Sequence, residues 1–232
     1  MVVVGVVVVV GVGVGVAVAV VVGVGVCLVQ VTPLPLISVR DVAEAVALPR
    51  SPGVHVSEII GEIMKGVDPE TYDTEYAKND QHNWWEVGFM WEKIFSQVFA
   101  AGRTGAKPGS TLIRGWEIER DGIIGTPDWF EFDPDGSMWL SETKATWKSA
   151  RGFDLYDKKF MAYLLQMRAY SYMLGGVDVV MGSRLYILHM NDDYERYVPA
   201  VRPYEVINTQ RELDENWSGI LNKGRKLGWL AA

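Results

Sequence analysis

The chain has 232 residues, 22 basic and 29 acidic side chains, a net charge of −7 and one cysteine. A lone Cys27 excludes an intramolecular disulfide framework and any zinc or iron–sulfur site built from several of the chain's own cysteines. The acidic balance excludes a protein that grips nucleic acid by net charge alone, though not one with a local basic face.

Residues 1–31 are close to a two-letter alphabet, with 19 Val and 6 Gly, and the first charged residue is Arg40. The uncharged stretch exceeds the roughly 20 residues that a membrane helix needs, so an anchor is one reading. Against it, no basic residue lies on its amino-terminal side, no aromatic belt marks either end, and Val and Gly are poor helix formers. Two other readings stand beside the anchor: a non-functional extension from a misassigned start, and a β-prone pair of packed strands. Residues 32–232 are expected to form a single domain.

In chain order, Thr32–Pro35 (TPLP) reads as a turn, and Ser38 caps a short helix through Leu48 that Pro49–Gly53 breaks. Ser57 is the expected N-cap of a helix over SEIIGEIMKG that ends near Gly66. Residues 67–79 read as a polar loop. A long helix is predicted over 80–101, with Trp84, Val87, Trp91, Ile94, Phe95 and Val98 at helical spacing and Gly102 as its stop. Two turn signals, Asp121-Gly122 and Asp133-Pro134-Asp135-Gly136, divide the next stretch into strands over 112–120, 123–133 and 137–146, expected as an antiparallel meander. A helix over 155–174 closed by Gly175-Gly176, strands over 179–190 and 195–201, and an amphipathic helix over 203–227 complete one α/β domain without internal repeats.

The chemistry concentrates in the meander. Asp128 follows Pro127 in GTPD on the second strand, and Glu142 and Lys144 stand at i and i+2 on the third, on one face. The turn between these strands allows Asp128 and Glu142 to be neighbours. Two carboxylates with a lysine suit a hard divalent cation such as Mg²⁺. The lysine can orient or deprotonate a metal-polarised water and stabilise charge on a phosphate oxygen. An ExK triplet alone would equally be a solvated strand surface, but a Pro-Asp within a sheet is locally unfavourable and points to a positional role.

GTPD followed 14 residues later by ETK resembles the PD-(D/E)xK nuclease superfamily. Gly88–Glu92 (GFMWE) is similar to the G-x-x-x-(H/E) element of its RecB/Cas4-like branch, and Gln166–Tyr170 (QMRAY) to the Q-x-x-x-Y element. HVSEI near Ser57 resembles a short segment that precedes these elements in such nucleases. The resemblance implies an α/β, restriction-endonuclease-like PD-(D/E)xK core, a central mixed sheet flanked by helices. It implies Glu92, Asp128, Glu142 and the backbone carbonyl of Thr143 as metal ligands, with Glu86 competing for the place of Glu92 six residues along the same helix. Lys144 becomes the catalytic lysine beside Asp128 and Glu142. Gln166 and Tyr170, at i and i+4, orient the lysine or contact the substrate strand.

The implied activity is Mg²⁺-dependent hydrolysis of DNA phosphodiesters, with Mn²⁺ as a substitute, first as an exonuclease acting on ends or single strands. A structure-specific endonuclease, and an inactive DNA-binding or assembly protein that kept the fold, are the alternatives. The setting implied is phage or mobile-element recombination and repair in the cytoplasm of a bacterial or phage-infected cell. A recombinase, a helicase or a second copy of the chain would be its protein partners. The four cysteines of Cas4 proteins are missing, so no iron–sulfur cluster is expected.

From Thr143 to Arg168, six basic residues (Lys144, Lys148, Arg151, Lys158, Lys159 and Arg168) face two acidic ones, Asp154 and Asp157. This run is the expected path of a phosphate backbone, with Trp147 and Tyr156 placed to stack on unpaired bases. Tyr163, Met167 and Tyr170 are expected in the core. His55, His82 and His189 lack ligand spacing.

Overall fold

A computed structural model of the protein describes residues 5–10, 16–21, 51–72, 81–146, 150, 153–190 and 200–231. The chain divides into two compact units, Met1–Arg50 and Ser51–Ala232. In the first, β1 (Gly5–Val10) and β2 (Val16–Val21) pair antiparallel with Gly5 opposite Val21, so these parts of the valine tract are strands. The expected turn at 32–35, the expected helix over 38–48 and the expected domain boundary after residue 31 lie outside the described residues.

The second unit opens with β3 (Val54–His55) and α1 (Val56–Val67). The N-cap of α1 is His55, not Ser57, because the Glu58 carboxylate turns back to accept the His55 N–H at 3.0 Å. A short helix α2 (Pro69–Tyr72) occupies the start of the stretch read as a loop, and α3 (Gln81–Ala100) is the long helix expected there.

The meander differs from its expectation. Its first strand splits into β4 (Thr111–Arg114) and β5 (Ile118–Arg120), and its second into β6 (Ile123–Gly125) and β7 (Trp129–Phe132). Only β8 (Met138–Thr146) runs as one piece. The halves join different sheets: β7 pairs with β8 and carries β4 on its outer side, whereas β3, β6 and β5 form a separate mixed three-stranded sheet. The cause is local. Pro127 has no N–H to give a ladder, and the Gly115 N–H donates instead to the Asp128 carbonyl at 2.9 Å. A Cβ at Gly115 would sit 1.9 Å from the Pro127 carbonyl oxygen, so only glycine permits the two breaks to face each other. The Asp121-Gly122 turn closes β5 onto β6 with both residues at positive φ, 53° and 75°.

After a 3₁₀ turn (Lys158–Phe160), α4 (Met161–Met173) carries the chain from β8 to the parallel strand β9 (Gly182–His189). The helix starts later than the expected 155, because tight bonds from Asp157 N–H to the Asp154 carbonyl and from Phe160 N–H to the Asp157 carbonyl hold the preceding turns. The last strand, β10 (Ala200–Val206), lies at the edge of the five-stranded sheet β10-β9-β8-β7-β4, and α5 (Gln210–Lys226) ends the fold. Pro203 therefore sits in an edge strand opposite Tyr186 rather than opening a helix, a place where a missing N–H is tolerated. Thr209 is the cap that starts α5: its hydroxyl accepts the Glu212 N–H, and its own N–H donates to the Glu212 carboxylate at 2.8 Å.

This is a mixed α/β architecture of two mixed sheets flanked by helices. On one face of the larger sheet Phe130, Leu140, Leu185 and Ile187 pack with α1, α4 and α5 through Ile59, Met64, Leu164, Met167, Trp217 and Ile220. On the other face Trp129 and Tyr186 pack with Trp91, Phe95 and Phe99 of α3. That second face also carries a buried ion cluster. Arg184 binds Glu131 at 2.6 Å, Asp133 at 2.7 Å and Glu205 at 3.0 Å, and its guanidinium lies 4.0 Å from the Trp139 ring centroid. No described helix is long and apolar enough to cross a membrane.

Candidate metal and phosphate site

The antiparallel register of β7 and β8 sets Trp129 opposite Ser141, so the preceding Asp128 falls opposite Glu142. The Asp128 N–H donates to Glu142 Oε1 at 3.2 Å, and Asp128 Oδ2 accepts both the N–H and the hydroxyl of Thr143, at 2.9 and 2.8 Å. Thr143 thus fixes one carboxylate oxygen, while Asp128 Oδ1 accepts no hydrogen bond among the described residues. Lys144 shares the face of Glu142, as i and i+2 require, and its Nζ donates to Glu142 Oε2 at 3.0 Å.

Burial, and then the neighbouring Asp128 charge, push the Glu142 carboxyl up to about 8. Burial opposes the charge of Lys144, but the Glu142 and Asp128 carboxylates outweigh it and lift the ammonium above its ordinary value, so Lys144 is a cation here. Glu92, from α3, is also raised by burial and by Asp128, and it is held in an ion pair with Arg114 of β4. Arg114 in turn lies 5.0 Å from the centroid of the Trp129 ring.

On the face that carries Glu142 and Lys144, α4 presents Gln166 and Tyr170. Gln166 Nε2 donates to the Tyr170 hydroxyl at 2.8 Å, and burial followed by the Glu142 charge raises the Tyr170 phenol. The helix seats this closely because position 125 is glycine: a Cβ there would lie 2.8 Å from the Tyr170 ring and 2.9 Å from Met173 Sδ. One turn earlier, Tyr163 places its ring 5.8 Å from Lys144 Nζ. Tyr163, Met167 and Tyr170 all belong to the core, as expected.

Among the described residues no three carboxylate or imidazole groups converge as a ready-made cation cage. The donor set nevertheless suits a hard cation. Asp128 and Glu142 are adjacent, and Mg²⁺ commonly takes only one or two carboxylates and keeps several waters. Glu92 would join them on leaving Arg114. The side chain of its rival Glu86 lies outside the described residues.

The expected DNA-binding residues divide. Trp147, Lys148, Arg151 and the side chain of Lys159 lie outside the described residues. Lys158 is half-exposed, 3.7 Å from Asp68 Oδ1, and Tyr156 is exposed. Arg168 Nε donates to Asn208 and Nη2 to Glu212, both at 2.9 Å, so it clasps α4 to the start of α5. His55 bonds the Ser51 carbonyl at 2.9 Å and His189 the Tyr204 hydroxyl at 3.1 Å, both as core histidines, while the side chain of His82 lies outside the described residues. Two residues beside the carboxylates were not singled out from the sequence, Arg114 and Trp116. Their signal was the string Arg-Gly-Trp at the point where a strand breaks.

No family model matches the chain, and no curated protein matches it. The chain is similar to a solved structure, the crystal structure of SSO0001, at 11% identity and a TM-score of 0.42, over 79% of this chain and 82% of that one.

Proposed function

We propose that the protein is a metal-dependent deoxyribonuclease with a PD-(D/E)xK core, an exonuclease first and a structure-specific endonuclease second. One observation carries the reading: Asp128 and Glu142 stand opposite each other on adjacent strands, with the Lys144 ammonium bonded to Glu142. Glu92 of GFMWE and Tyr170 of QMRAY lie close enough to Asp128 and Glu142 for their charges to interact, which supports the reading.

Asp128 and Glu142 would hold Mg²⁺ or Mn²⁺, with Glu92 and the Thr143 carbonyl as further ligands. A divalent cation held by these residues would supply a more acidic water and offset the charge that develops on the phosphate. Lys144, kept protonated by its two carboxylate neighbours, faces that charge as a fixed cation rather than as a base. Thr143 holds Asp128 in place, and the Gln166–Tyr170 pair closes the site from α4. Water attacks phosphorus and the 3′-oxygen leaves, giving 5′-phosphate and 3′-hydroxyl ends. Recombination or repair of phage or mobile-element DNA in the cytoplasm is the setting proposed, with DNA as the partner.

The test is to incubate end-labelled linear DNA and matched closed circular DNA with the protein in Mg²⁺, Mn²⁺ or EDTA, beside Lys144→Ala. The expected result is metal-dependent loss of the linear DNA alone, slowed roughly 10²–10³-fold by the substitution. Cutting of the circle selects the endonuclease. Binding without cutting of either substrate selects the inactive DNA-binding protein.

A further inference from the structure

Among the described residues, Trp116 is the largest exposed apolar side chain beside the proposed site, with 57% of its surface open. Its place is set by the break in the sheet. Gly115, one residue before it, donates to the Asp128 carbonyl at 2.9 Å, so the Trp116 backbone is one peptide from the backbone of a proposed metal ligand. Its ring rests on Phe130, centroids 4.3 Å apart and planes tilted by 52°. Phe130 opposes Leu140, which is two residues from Glu142 on the same face of β8, or about 7 Å along the strand. Arg114, before the break, turns to the other face and lies against Trp129. The indole is therefore pinned on one side by a buried phenyl ring, and it shares the face that carries Glu142 and Lys144.

A solvent-facing tryptophan costs apolar exposure, and covering Phe130 alone would be served by a smaller aliphatic side chain. A ring held rigid beside a phosphodiester site has one evident ligand, the face of a nucleobase. Bases inside a duplex are stacked on both faces by their neighbours and cannot offer one. We propose that Trp116 stacks on an unpaired base flanking the scissile phosphate, and that the substrate is a single strand or a frayed end rather than intact duplex. Stacking reads no base edge, so the preference is for strandedness and not for sequence. This inference rests on the nuclease reading.

The test uses the full chain with Trp116→Leu, which keeps an apolar cover on Phe130, and Trp116→Phe, which keeps an aromatic ring. Binding of fluorescein-labelled single-stranded and blunt duplex oligonucleotides is followed by anisotropy in EDTA, and cleavage of the same oligonucleotides in Mg²⁺. Trp116→Leu is expected to weaken single-strand binding roughly tenfold, Trp116→Phe to restore most of it, and duplex binding to stay within about twofold of wild type. An abasic sugar placed beside the cleaved bond should weaken wild type by the same factor and leave Trp116→Leu unaffected. If Trp116→Leu, with an unchanged thermal melt, binds single strands like wild type, or weakens both substrates equally, the stacking role is overturned while the nuclease reading survives. A wild type that neither binds nor cuts any of these oligonucleotides overturns both.

Discussion

Glu142 keeps a carboxyl buried between a second carboxylate and an ammonium, and its protonation ties stability to the metal binding proposed for this site. Its pKa rises from 4.5 to about 8 through burial and then Asp128. Between those values the folded protein retains a proton that the unfolded chain has lost. The group's contribution to stability is thus full at pH below about 4.5 and declines as pH rises toward about 8. Thermal melts without metal should therefore show the wild-type Tm falling relative to Glu142→Gln over that interval; parallel curves would deny the coupling. Mn²⁺ affinity measured by calorimetry should rise over the same interval, as the proton that competes with the cation is lost. Asp133 acts with the opposite sign. Its bond to Arg184 holds its carboxyl below the ordinary 3.8, against the opposing effect of burial, so its stabilisation is present above that value and lost on further acidification.

The elements show which parts of the architecture were legible beforehand. The Asp121-Gly122 turn, the intact strand β8, the long helix α3 and the opposition of Asp128 and Glu142 all follow from local rules of turn chemistry and alternation. The split of the meander into two sheets did not, because it depends on Gly115 meeting Pro127 across the chain, a contact between residues 12 apart in sequence. The same contact hid Trp116, whose role depends on where the strand stops. The partners of Arg168 were hidden for a related reason: its charge was visible, but Asn208 and Glu212, which it bonds, are about 40 residues away. Pro203 read as a helix start, and only its position on a sheet edge explains a proline in β10. Gly115→Ala is expected to separate the two breaks, lowering the melting temperature and abolishing cleavage together. Thr209→Ala, which removes the α5 cap, should cost about 1 kcal/mol in urea unfolding and leave cleavage unchanged.

In the molecule as a whole, two apolar layers enclose the larger sheet, and the buried Arg184 cluster ties β7, β9 and β10 together on the α3 side. Removing Arg184 alone would leave Glu131 and Asp133 buried beside each other, and breaking such a cluster costs about 3–5 kcal/mol; Arg184→Met is expected to lose cooperative unfolding at room temperature. The described core residues all come from Ser51–Ala232, so a chain starting at Ser51 should fold and cleave DNA as the full chain does. Under the proposed function, Asp128, Glu142 and Lys144 act together to hydrolyse a phosphodiester. The most direct measurement is the rate at which end-labelled single-stranded DNA is degraded in Mg²⁺ by wild type and by Glu142→Gln, each checked for an intact melt. The account predicts degradation by wild type that EDTA stops, and none above background by the variant. Equal rates for the two proteins, or no degradation by a folded wild type, would contradict it.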